Sequence, residues 1–204
     1  MNNTFFKFFI SYFFIIIIFI FLAFYYIFLY NSYNLNSYSS NFSSTSNSVL
    51  SSFGFIWPLD NYYSISSYFG RRKTPTNGAS SFHSGIDIPA PEGTPIHSID
   101  GGKIIFASWG AGGGYTITMI LNNYPDIKIS YCHLSPIMYV SKDDIVTKGQ
   151  IIGSVGPKNV YGISNNPYKD ANGNPTNGST TGCHLHLTIK VNNTPVDPLN
   201  YFFI

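Results

Sequence analysis

Beyond Phe53, no stretch of this chain keeps a helical hydrophobic period for ten residues. The apolar pattern falls instead into short runs at residues 103–107, 115–120, 127–131, 150–153 and 185–189. They are rich in β-branched and aromatic residues and bounded by Gly, Pro, Asn or Asp, so each reads as a strand. Short strands at this spacing predict an all-β domain built mainly on an antiparallel sheet. Residues 156–181 break the rhythm, being mostly Asn, Gly, Pro, Tyr, Ser and Thr. A loop this long inside a compact domain often carries function.

The first 52 residues follow different rules. Residues 8–30 are 23 residues without a charge, mostly Phe, Ile and Tyr. As a helix they would extend about 34 Å, enough to cross a hydrocarbon core of about 30 Å. The run is longer than the apolar core of a cleaved signal peptide, and no A-x-A site follows it. Residues 1–30 therefore read as one N-terminal transmembrane helix that stays as a membrane anchor. Lys7 is the one charge before the span and Asp60 the next after it. The positive-inside rule then places the remainder outside the cytoplasm. Residues 31–52 hold 15 Ser or Asn among 22 and no charge. Such a segment cannot bury enough apolar surface to fold, and reads as a disordered linker reaching roughly 26 Å. Residues 53–204 are the expected globular domain.

Charge excludes one class of partner. The formal net charge is +2 and only 10% of residues are charged. Nucleic-acid binding needs clustered Lys and Arg. The one basic cluster, Arg71-Arg72-Lys73, reads as a solvated turn.

The chemistry lies with five histidines. His184 and His186 are two apart in an expected strand, so both leave the same face while Leu185 and Leu187 take the other. His83 and Asp87 stand four apart around Gly85, and a bend there would bring them to one centre. His133 sits in another expected strand, where alternation groups it with Tyr131 and sets Cys132 and Leu134 opposite. His97 has no acidic or imidazole partner at a motif spacing and reads as structural. Two imidazoles and a carboxylate suit a catalytic zinc with an open fourth position. Zinc brings the pKa of bound water towards neutrality, and two further histidines could then handle its proton and the developing oxyanion.

In chain order, His83-Ser84-Gly85-Ile86-Asp87, Tyr131-Cys132-His133-Leu134-Ser135 and His184-Leu185-His186 resemble the lysostaphin-type, LytM-like zinc metallopeptidases. Supporting matches are Trp57-Pro58-Leu59-Asp60, Asp100-Gly101-Gly102-Lys103, Lys148-Gly149-Gln150-Ile151-Ile152-Gly153 and Pro195-Val196-Asp197-Pro198. The resemblance spans residues 57–201. It implies one Zn2+ per chain, held by His83, Asp87 and His186, with His133 and His184 as the catalytic histidines. It implies an antiparallel sheet with a groove walled by loops. It also implies cleavage of peptide bonds in the cross-bridges or stem peptides of bacterial peptidoglycan. Tyr115 and Tyr131 are candidate substrate contacts. The chain departs from the family in its long approach to His184-Leu185-His186, which should enlarge the groove wall. Gly112-Gly113-Gly114-Tyr115 follows the family pattern only loosely.

Cys132 and Cys183 each precede one of these histidines. Alternation points both away from the metal face, where they would be either a disulfide or two buried thiols. Two competing functions share the fold. One is a zinc-binding envelope scaffold or hydrolase activator that does not cleave and meets a protein partner through loop 156–181. The other is a cytosolic sugar-phosphotransferase carrier, which the anchor and Asp87 disfavour.

Overall fold

The computed structural model describes Tyr25, residues 54–74 and residues 80–202. All but Tyr25 fall in one compact unit, Ser51–Ile204. The expected membrane helix at residues 1–30 and the linker at 31–52 lie outside the described residues, Tyr25 apart. Among the described residues no helix is long and apolar enough to cross a membrane.

Eleven strands are described: β1 (Gly70–Arg71), β2 (Phe82–His83), β3 (Ile86–Pro89), β4 (Pro95–His97), β5 (Gly102–Trp109), β6 (Tyr115–Leu121), β7 (Ile127–Cys132), β8 (Ile145–Val146), β9 (Ile151–Ser154), β10 (His184–Val191) and β11 (Thr194–Val196). Seven form one antiparallel sheet in the order β11-β10-β7-β6-β5-β8, with β3 also paired to β10. The all-β expectation holds, and among the described residues of Ser51–Ile204 the helical pieces are short 3-10 turns.

β10 organises the sheet. One edge pairs with β7, from His186 to Val191. The other edge is shared: β3 takes residues 184–187 and β11 takes residues 189–191. Its sequence alternates as expected. Leu185, Leu187 and Ile189 are fully buried, while His184, His186 and Lys190 stay partly open. The same alternation buries Ile86 and Ile88 of β3, Ile129 and Tyr131 of β7, and Ile117 and Met119 of β6. These side chains make one apolar face.

The small sheet β4–β9 covers that face. Ile96 and Ile152 are fully buried, and the Cα of Gly153 points at Ile117 and Leu134. Residues 150–153, read as a strand from sequence, thus belong to this second layer and not to the large sheet. Tyr131 crosses the core, and its hydroxyl accepts from the Ile99 amide at 2.9 Å. Apolar side chains fill this side, so the opposite, polar face of the large sheet is left for chemistry.

Candidate functional site

Strand pairing lines up three residues on the polar face. Asp87 of β3 stands opposite His186 of β10, and His186 stands opposite Cys132 of β7. His83 arrives from β2 through the turn at Ser84-Gly85. That turn presses Gly85 onto β10, where a Cβ would overlap the Leu187 carbonyl. Glycine's missing side chain permits the approach.

The donor atoms converge. Asp87 Oδ1 lies 2.8 Å from His186 Nδ1 and 3.1 Å from His83 Nε2, and the two nitrogens are 2.9 Å apart. Both outer nitrogens are held. His83 Nδ1 donates to the Tyr68 carbonyl at 2.8 Å, which turns its Nε2 lone pair inward. His186 Nε2 sits 2.9 Å from Thr188 Oγ1. Among the described residues, His83, Asp87 and His186 are the one group of ligand atoms close enough to hold a metal. Ligand atoms around a tetrahedral zinc lie roughly 3.3 Å apart. Two imidazole nitrogens and a carboxylate oxygen crowded at nearly that spacing fit zinc with one position left open.

Arg72 fixes the carboxylate. Its Nη1 is 3.3 Å from Asp87 Oδ2 and also donates to Ser67 Oγ, leaving Oδ1 to the histidines. Burial opposes the Asp87 charge, but hydrogen bonds from His184, His186 and His83 outweigh it. The carboxyl is held well below its usual range. Arg72 is therefore not part of a solvated turn, as its basic cluster suggests. It lies 15 residues from Asp87, and no spacing rule links the two.

His133 and His184 flank this cluster, their ring centroids 4.8 Å apart. His133 Nδ1 donates to the Asn177 carbonyl at 2.7 Å, and His184 Nδ1 to the Gly182 carbonyl at 3.0 Å. His184 Nε2 reaches within 3.4 Å of Asp87 Oδ1. Burial, reinforced by His184 and His186, lowers the His133 pKa to about 3 and keeps its ring neutral. Burial likewise lowers that of His186.

His133 reaches this position by leaving its strand. β7 ends at Cys132, and His133 takes φ 61°. The left-handed region tolerates His better than most side chains. Its amide donates to Gly113 O at 2.7 Å, and its carbonyl accepts from the Gly156 amide at 2.9 Å. Strict alternation therefore fails at this residue. It puts Tyr131 on the site face, whereas Tyr131 is fully buried in the core and lines no groove. Tyr131 is not a substrate contact. Tyr115 does not line the groove either: it pairs with Trp109, and its amide donates to Asn177 Oδ1.

Cys132 is corrected by the same geometry. It lies on the site face and lines the groove. Burial pushes its thiol up to about 11, so it is protonated at neutral pH and outside the ligand cluster. Cys132 and Cys183 are both free thiols. His97 is paired with exposed Asp60 and the Gly149 carbonyl, away from the centre.

Loop 156–181 supplies both wall and scaffold. Ser179 and Thr181 line a groove of about 730 Å3 that holds the four site histidines. Asn177, fully buried, was not singled out by any sequence signal. Its Oδ1 accepts from Tyr115 N, its Nδ2 donates to Leu134 O, and its carbonyl holds His133.

Known proteins resemble this chain. Residues 81–198 match Peptidase family M23. The DD-carboxypeptidase/endopeptidase Mpg of Neisseria meningitidis is 32% identical over 139 residues, 68% of this chain and 27% of that protein. The peptidoglycan DD-endopeptidase ShyB of Vibrio cholerae is 31% identical over 146 residues, 70% of this chain and 29% of its own. The chain thus spans less than a third of the length of these two relatives. The catalytic domain of the antimicrobial peptidase lysostaphin from Staphylococcus simulans matches with a TM-score of 0.55 and 32% identity, over 70% of this chain and 93% of that one. A zinc-containing peptidase from Vibrio cholerae matches at TM-score 0.55 and 30% identity, over 74% of this chain and 40% of its own. With a family match over more than half its length, falling on the sheet and histidines described above, the chain belongs to peptidase family M23.

Proposed function

We propose that this protein is a zinc metalloendopeptidase that hydrolyses peptide bonds of bacterial peptidoglycan. One observation carries the reading: a His-Asp-His ligand set and two further histidines meet on the floor of an open groove. The peptidoglycan endopeptidases among its relatives support the substrate. His83, Asp87 and His186 would hold the metal. When bound, zinc polarises the peptide carbonyl and makes water acidic enough to yield a proton near neutral pH.

The chain's own residues do the rest. His133, neutral and pinned through Nδ1, presents Nε2 to the groove and takes the proton of the attacking water. It then returns that proton to the leaving amine. His184, pinned through Nδ1, turns Nε2 to the oxygen that gains negative charge and stabilises it by a hydrogen bond. The Asn177 and Gly182 carbonyls hold both rings in orientation, so little reorganisation is needed at the moment of reaction. In the same reading, residues 1–30 anchor the protein in the membrane and residues 31–52 let the domain reach the wall outside it.

The test uses full-length protein and His133→Ala, with zinc content and release of new amine termini from sacculi measured on both. Wild type should bind about one zinc and cut, and the variant should keep zinc and lose at least about 100-fold in rate. Zinc binding without cleavage of any wall chemistry would instead support the envelope-scaffold function.

A further inference from the structure

The groove carries more positive charge than its ligand cluster accounts for. Arg72, Lys73 and Lys190 all line it, and Asp87 is its only carboxylate. Asp87 has nothing to spare, since Oδ1 faces three histidines and Oδ2 faces Arg72. Outside the groove Lys103, Lys148 and Lys158 each pair with an aspartate, whereas Lys128, opposite Lys190 on β7, bonds Asn193. Lys73 and Lys190 have no acidic partner among the described residues. A groove with one sign of charge and unpaired cations concentrates ligands of the opposite sign.

Lys190 is placed for a specific contact. It leaves β10 on the same face as His186, four residues further on, which sets their Cα atoms about 13 Å apart along the strand. Between them the floor is hydroxyl-bearing, with Thr188 of β10 opposite Ser130 of β7. A peptide laid along β10 in extended form advances about 3.3 Å per residue. Allowing for the reach of a lysine stem, the ammonium meets groups roughly two to four residues from the reacting bond.

We propose that Lys190 is a carboxylate-binding subsite and that the groove selects acidic peptides over neutral ones. This rests on the endopeptidase reading and sharpens it. The substrate class is a peptide with a free carboxylate a few residues from the cut bond, as stem peptides have, and not a neutral oligoglycine bridge. A lysine suits the task because it acts as a point charge on a flexible stem and needs no fixed fork geometry.

Three peptides of matched length test it: a stem peptide with free carboxylates, its amidated form, and an oligoglycine. Each is given to wild type, Lys190→Gln and Lys190→Arg, with zinc content and melting midpoint confirming that the variants fold. Wild type should favour the free acid by roughly tenfold in kcat/KM, through KM, with the preference shrinking as salt rises. Lys190→Gln should lose most of that preference, and Lys190→Arg should keep it. Equal cleavage of the acid and amide by wild type, or an undiminished preference in Lys190→Gln, overturns the subsite. Cleavage of none of the three overturns the endopeptidase reading instead. Equilibrium binding of the same peptides would then still decide whether Lys190 selects a carboxylate.

Discussion

Arg72 decides which oxygen of Asp87 faces the histidine cluster. Its guanidinium holds Oδ2, and the histidines are left with Oδ1. Partners that orient a metal ligand are typically worth about 10–100-fold in metal affinity. Arg72→Gln is expected to weaken zinc binding by about that factor, with Arg72→Lys intermediate because an ammonium lacks the planar fork. Competition with a chromogenic zinc chelator measures this without reference to catalysis, and an unchanged affinity would remove Arg72 from the site. Nothing in the spacing of the sequence marks this residue. His83, Asp87, His184 and His186 are legible because chain-local rules bring them near one another: a bend at Gly85, and two-residue periodicity on β10. His133 is legible as a candidate but not in its direction, because its left-handed backbone breaks the alternation that places Tyr131 correctly only within the strand.

At the scale of elements, the site depends on β10 being paired on both edges. β3 brings Asp87 to one side of His186 and β7 brings Cys132 to the other, with His133 just beyond. The 156–181 loop then docks on the glycine-rich connection between β5 and β6, where the Ser179 amide donates to Gly112 O at 2.8 Å. Asn177 is the pin. Asn177→Ala would leave the Tyr115 amide and the Leu134 carbonyl without their partner, at about 1–3 kcal/mol for each group that stays buried. The variant should melt lower, keep its zinc, and lose activity because the loop that sets the Asn177 main-chain carbonyl against His133 is no longer pinned. Calorimetry with zinc analysis and peptide hydrolysis checks all three, and an unaltered rate would show that the loop does not position His133.

Across the whole molecule, burying histidines and a carboxylate together makes the metal-free fold acid-sensitive. Burial lowers the pKa of His133 to about 3 and lowers that of His186, so the folded state holds fewer protons than the unfolded chain, whose histidines titrate near 6.5. Asp87, also lowered, acts in the same sense below about 3.8. The sign is therefore one of stability complete above about pH 6.5 and lost progressively towards pH 3. Urea midpoints of chelator-treated protein at pH 7.5, 6, 5 and 4 should fall in that order, and a flat series would contradict it. Zinc present in excess at 100 times its Kd should add about 2.7 kcal/mol at neutral pH. The sequence by itself determined the strand-rich architecture, the apolar face of β10 and the choice of His83, Asp87, His133, His184 and His186 as candidates, because periods of two and short motifs are local physics. The tertiary structure alone decided that residues 150–153 cover the core from a second sheet, that Tyr131 is core and Cys132 is groove, that Arg72 and Asn177 hold the site residues, and that Lys190 lines the groove. Those assignments depend on register, on one left-handed residue and on contacts far apart in the chain, which no local pattern encodes.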